Sequence, residues 1–185
     1  PGQVFVAVHD AHNHYDGHLF VREALERGAA GVVLERPCPE AGRLQVVVND
    51  SRAAHAKICQ ALAGDPSQQL ATVGVGGTYG KTVTSLLVRS ILEAAGHRCG
   101  LVGGMGWFDG SASRPLGGNS RGHAKGAWPG GAAGLATILA YMVDQDCTAG
   151  VLEVSREAIA GRCLEGMTFQ AAVATDLGLP HGLPA

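Results

Sequence analysis

Short apolar runs alternate with amphipathic stretches along most of the chain. VFVAV (4–8) reads as a buried strand, and the segment Leu19 to Arg27 carries Phe20, Ala24 and Leu25 at helical spacing before Gly28 stops it. AGVVLE (30–35) and LQVVVND (44–50) are two more β-branched runs. Between Ser51 and Ala63, the stripe Ala54, Ile58, Ala61 and Leu62 predicts a helix with Ser51 as its N-cap. GDPSQQ (64–69) reads as a linker by its polar, Gly and Pro content.

A second alternation begins at LATVGV (70–75), which feeds a Gly-rich turn. The helix after it places Val83, Leu86, Leu87, Ser90, Ile91 and Ala94 on one face, until Gly96 ends it. CGLVG (99–103) is the next strand. Gly104 to Gly131 has no periodicity and is rich in Gly, Ser, Pro and Trp, which predicts a long loop of the kind that is functional or disordered. Leu135, Ile138, Leu139 and Met142 mark a helix, followed by strands at GVLEV (150–154) and FQAAVAT (169–175).

Strands alternating with helices predict an α/β fold with a doubly wound, largely parallel sheet, whose ligands bind at the carboxyl ends of the strands. The division falls at the linker. Residues 1–66 form a small N-terminal β/α domain, and residues 67–185 an incomplete phosphate-loop domain whose last strand lies close to the terminus. The chain also opens at Pro1-Gly2 directly into an apolar run, so the sequence is expected to be a piece of a longer protein.

Composition narrows the partners. A net charge of −2 and a pI near 6.5, without a Lys/Arg block, argue against nucleic acid and against an anionic membrane surface. Five cysteines, odd in number and never in C-x-x-C, indicate neither a disulfide framework nor a zinc site, and a reducing cytoplasm fits them best. No apolar run approaches the roughly 20 residues needed to span a bilayer.

GVGGTYGKTVTSLL (74–87) holds the candidate chemistry. Gly77 and Gly80 allow positive φ and close backbone approach, so successive amides can point into one concavity. The turn empties into a helix N-terminus, which favours an anion. Lys81 adds a full charge for β/γ-phosphates, and Thr82 a hydroxyl for Mg²⁺. Val75 stands where the common G-x-x-x-x-G-K-[ST] pattern has its first glycine, and Gly74, Gly76 and Gly77 could relieve the turn in its place. The competing reading is a Gly-rich turn with an incidental lysine.

The loop resembles the Gly-Thr-x-Gly-Lys-Thr variant of the Mur ligases, matched here by Gly77 to Thr82. PGQVFVAV and DGHLFVREALERGAAGVVLE resemble the N-terminal domain of the tripeptide synthetase branch of that family. GLVGGMG, YMVDQD, GVLEVSREAI and AVATDLGLPHGL follow in the family's order. The resemblance covers nearly the whole chain. It implies an ATP-dependent ligase that phosphorylates a carboxylate of a UDP-muramoyl-peptide-like precursor and lets an amino acid's amine attack the acyl phosphate. ATP, the UDP-sugar peptide precursor and the amino acid would be its small-molecule partners, with Mg²⁺ as metal.

By that resemblance Gly77, Thr78, Gly80, Lys81 and Thr82 would hold the ATP phosphates. Thr82, Glu153 and Glu157 would serve the metal, and Lys81, Glu153 and His181 the catalysis. Glu153 ends GVLEV, a strand end where a carboxylate can face a nucleotide; its bland alternative is a strand-end Glu in solvent. Departures from the family pattern are concentrated at the site. Gly76, Tyr79 and Val83 replace Thr, Asn and Thr; Glu157 replaces His; Asp176 replaces Asn; Leu179-Pro180 replaces Arg-Asp, and AWPGG (127–131) lacks the Thr-Thr-Pro that meets the UDP-sugar. The family's carbamylated lysine and C-terminal domain would lie beyond Ala185, so the chain alone is expected to be inactive in ligation.

Two other readings stay open: a non-catalytic module that binds a nucleotide or a precursor, and a phosphate-loop kinase or NTPase outside cell-wall synthesis. His9, His12, His14 and His18, with Asp10 and Asp16, could gather a transition metal, although a polar strand-to-helix loop is the better account of them, and the resemblance accounts for DGH at 16–18. Trp107 and Trp128 flank the long loop and are expected to pack it onto the sheet.

Overall fold

β-Branched runs and amphipathic helices assemble into two sheets in the computed structural model, which describes residues 2–9, 16–42, 44–114 and 131–176. Among the described residues, no helix is long and apolar enough to cross a membrane. The first sheet is parallel, in the order β1 (Val4–Val6), β2 (Gly31–Leu34), β3 (Gln45–Val47), with Val33 opposite both Val6 and Val46. A 3-10 turn at Gly17–Phe20 leads into α1 (Val21–Glu26), and α2 (Ser51–Leu62) follows β3. The core here is Ala7, Val21, Val32, Leu34 and Ala41.

The second sheet uses β4 (Ala71–Gly76), β5 (Cys99–Gly103), β6 (Gly106–Phe108), β7 (Ser113–Arg114), β8 (Ala149–Glu153) and β9 (Ala171–Ala174). Its order is β7-β6-β5-β8-β4-β9; the four strands from β5 to β9 run parallel, and β6 and β7 add an antiparallel hairpin at one edge. Alternate residues serve opposite faces. Val102 and Leu152 meet Leu135, Leu139 and Met142 of α5 (Gly131–Asp144), whereas Val75, Cys99 and Val151 meet Val88 and Leu92 of α4 (Lys81–Ala94).

The structure corrects several expectations. Asp50, not Ser51, caps α2: its carboxylate accepts from the amides of Arg52 and Ala53, while Ser51 donates through its amide and hydroxyl to Glu35. The buried positions of α2 are Ser51, Ala56 and Gln60, and Leu62 is exposed. On α1, Val21 is buried and Phe20 exposed. GDPSQQ contains a helical turn, α3 (Pro66–Gln69), because Pro at the first helical position presets φ. The stretch expected to be a loop after Gly104 contains β6 and β7. On α4 the apolar residues Val83, Leu86, Leu87 and Ile91 face outward, and Ser85, Val88 and Leu92 face the sheet.

α2 and α3 pack against α5 and so join the two sheets. Arg162 pairs with Asp50 at 3.2 Å, and Arg52 donates to the Ala160 carbonyl at the end of α6 (Arg156–Ala160). Gln60 is buried on α2 with neither side-chain nitrogen nor oxygen hydrogen-bonded among the described residues.

Candidate functional site

The carboxyl ends of all four parallel strands of the larger sheet converge on the turn after β4. Val75 lies inside β4 with its side chain fully buried among Cys99, Ala149 and Val151, and its carbonyl accepts from Val154. A glycine is therefore not required at that position. Gly74 and Gly76 belong to the strand, and the turn is made by Gly77 (φ 132°) and Gly80 (φ 78°). Gly80 opens α4, whose first amides, including those of Lys81 and Thr82, have no acceptor within the helix.

The sequence-predicted residues Gly77, Thr78, Gly80, Lys81 and Thr82 thus form one continuous turn and helix start. The Lys81 ammonium lies over the turn and donates to the carbonyls of Gly77 (2.8 Å) and Thr78 (3.2 Å). The Thr82 hydroxyl donates to Glu153 at 3.1 Å, which joins α4 to the end of β8. Glu153 is only 7% exposed, so the solvent-exposed alternative does not hold. Its carboxylate packs on Gly103 at the end of β5, where a Cβ would come within 2.7 Å of the carboxyl carbon, and it lies 3.5 Å from the Gly104 amide.

Glu157 is not part of this contact. It occupies the first turn of α6, and its own main-chain amide, followed by the Ser155 hydroxyl, holds its carboxyl below the ordinary carboxylate range, with smaller help from the charges of Arg156 and Lys81. His181 lies outside the described residues, as do Asp10, His12, His14, Trp128 and all of AWPGG except Gly131, which opens α5. His9 pairs with Glu35 and His18 with Asp16, and no group of three or more metal-binding side chains occurs among the described residues. Trp107 meets Tyr141 edge to face at 5.4 Å, which packs β6 onto α5.

Sequence reasoning did not find three features. A cleft of about 190 Å³ opens beside Thr82 and Glu153, with Arg89 3.6 Å above the Phe108 ring on its wall. Gly103 makes room for the buried carboxylate, a role hidden in a glycine-rich run. Thr175 and Asp176, just past β9, hydrogen-bond to the turn itself: the Thr175 hydroxyl donates to the carbonyls of Gly76 (3.2 Å) and Tyr79, and Asp176 accepts from two turn amides.

A buried carboxylate needs a cation or several hydrogen bonds. Among the described residues the hydrogen-bond donors to Glu153 are the Thr82 hydroxyl and, at 3.5 Å, the Gly104 amide, and neither is a cation. Two hard oxygen donors beside a phosphate-type turn suit Mg²⁺.

The family model for the Mur ligase middle domain matches residues 75–182. The UDP-N-acetylmuramoyl-L-alanyl-D-glutamate--2,6-diaminopimelate ligase of Chlorobium phaeobacteroides is 35% identical over 98% of this chain and 34% of its own length. The UDP-N-acetylmuramyl-tripeptide synthetase of a Roseiflexus species is 36% identical over 98% of the chain and 35% of its own length. The chain therefore spans about a third of the length of the curated relatives it matches. A solved structure bearing the first of these enzyme names shares the fold, with a TM-score of 0.68 at 24% identity over 99% of this chain and 35% of that one. With the middle-domain model matched over more than half of its residues and those identities sustained along nearly all of it, the chain belongs to the Mur ligase family.

Proposed function

We propose that the chain is the nucleotide-gripping portion of an ATP-dependent, Mur-type amide ligase, joining an amino acid to a carboxylate of a UDP-muramoyl-peptide-like precursor. Residues 1–66 would form its substrate-side domain and residues 67–185 part of the ATP-binding domain. The observation that carries this reading is the meeting, at strand carboxyl ends, of the Gly77–Thr82 turn with a buried Glu153 hydrogen-bonded to Thr82.

Within this reading the amides from Gly77 to Thr82 bind phosphate oxygens, and Lys81 swings from the Gly77 and Thr78 carbonyls to neutralise them. Thr82 and Glu153 would hold Mg²⁺. The metal would supply charge stabilisation on the phosphoryl oxygens. Gly103 keeps space for Glu153, and the buried position of that carboxylate limits competing water. Glu157 adds a negative charge that interacts with the charge of Lys81.

The test is calorimetric titration of ATP·Mg²⁺ into wild type and Lys81→Ala. Loss of a charged phosphate contact costs about 1.5–3 kcal/mol, so the variant should bind at least about tenfold more weakly. Equal affinity would remove the phosphate-loop reading. A non-catalytic nucleotide- or precursor-binding homologue is the second reading, favoured by the contacts that Lys81 and Asp176 make with the turn. Amide-forming turnover by the full-length gene product would decide against it.

A further inference from the structure

The turn after β4 already holds a carboxylate. Asp176 accepts from the amide of Thr78 at 3.1 Å and from that of Tyr79 at 2.8 Å, one carboxylate oxygen to each. Thr175 fastens the same stretch from the carbonyl side, through Gly76 and Tyr79. The approach is close enough to depend on glycine: a Cβ on Gly77 would overlap the Thr175 hydroxyl and come within 3.1 Å of the Asp176 amide. The turn's cation is also engaged, since Lys81 donates to the carbonyls of Gly77 and Thr78. Both the amide donors and the ammonium that a phosphate would use are thus partly satisfied by the chain itself.

We infer that Asp176 is a resident anion on the phosphate turn, which lowers nucleotide affinity by competing with phosphate oxygens for the Thr78 and Tyr79 amides. The inference rests on the nucleotide reading of the turn. A carboxylate is an acceptor-only group with two oxygens, and it matches two adjacent amides as a phosphate edge does. Its charge also repels a polyphosphate. An asparagine in the same place has one accepting oxygen instead of two, so the two amides must share it, and it carries no charge. The alternative role, a carboxylate that merely holds the turn in its binding shape, makes the opposite prediction for the same substitution.

Two measurements on the 185-residue chain test this. ATP·Mg²⁺ is titrated into wild type, Asp176→Asn, Asp176→Ser and Lys81→Ala, and amide hydrogen exchange at Thr78 and Tyr79 is followed without nucleotide. The expected result is binding about tenfold tighter in Asp176→Asn, the loss of one charged contact and its repulsion, with faster exchange at both amides. Asp176→Ser should shift in the same direction, so a folding defect in one variant leaves the other to decide. Wild-type binding that Lys81→Ala weakens, but that both Asp176 variants leave equal or weaker, overturns the inference and leaves the nucleotide reading standing. Unchanged exchange at Thr78 and Tyr79 also overturns it. Failure of all four proteins to bind removes the nucleotide reading and the inference together.

Discussion

Asp16 shows what a single carboxylate does in the smaller sheet. The His18 main-chain amide, then the His18 ring and Arg36, pull its pKa from an ordinary 3.8 to about 2. A depressed folded-state value means that the contribution to stability is complete above the unfolded value and disappears as the pH falls through the folded one. Melting temperature should therefore drop between about pH 4 and pH 2 more steeply in wild type than in Asp16→Asn. Parallel curves would show that Asp16 does not hold this turn in solution. At the same scale, Lys81, Thr82 and Glu153 were legible because their chemistry is tied to a local pattern and a strand end. The role of Gly103 and the contact of Asp176 with the turn were not, since their partners Glu153, Thr78 and Tyr79 lie far away in sequence and only the parallel sheet brings them together.

The elements were easiest to read where one face alone is apolar. α5 buries Leu135, Ile138, Leu139 and Met142 as its spacing predicts. α4 misled because it is apolar on both sides, and periodicity gives the existence of a helix without saying which side meets the sheet. The small residue Ser85 and the pair Val88 and Leu92 take the inner side, leaving Leu87 at 59% exposure. Leu92→Ala should cost about 2 kcal/mol and Leu87→Ala less than about 0.5 kcal/mol, as read from denaturant midpoints. Equal costs would return the helix to the orientation first expected. β6 and β7 were missed for another reason: two- and three-residue strands in a glycine-rich stretch carry too few side chains to show a period of two.

Across the whole molecule, the alternation of strand and helix was enough to anticipate an α/β fold with largely parallel strands, but not the edge hairpin or the way the two sheets are joined. That joint rests on α2 and α3 against α5, with the Asp50–Arg162 pair at its exposed margin. Exposed pairs contribute little, so the helices carry the connection. Gln60, buried on α2 without a hydrogen-bond partner among the described residues, is a weak point in that helix. An amide deprived of partners costs roughly 1–3 kcal/mol, and an apolar side chain of similar volume removes that cost. Gln60→Met should raise the unfolding midpoint, and a lowered midpoint would show that the amide is satisfied in solution. Because α2 and α3 pack on α5, heat should melt both sheets in a single calorimetric peak, and two separate peaks would show that these helices do not couple them.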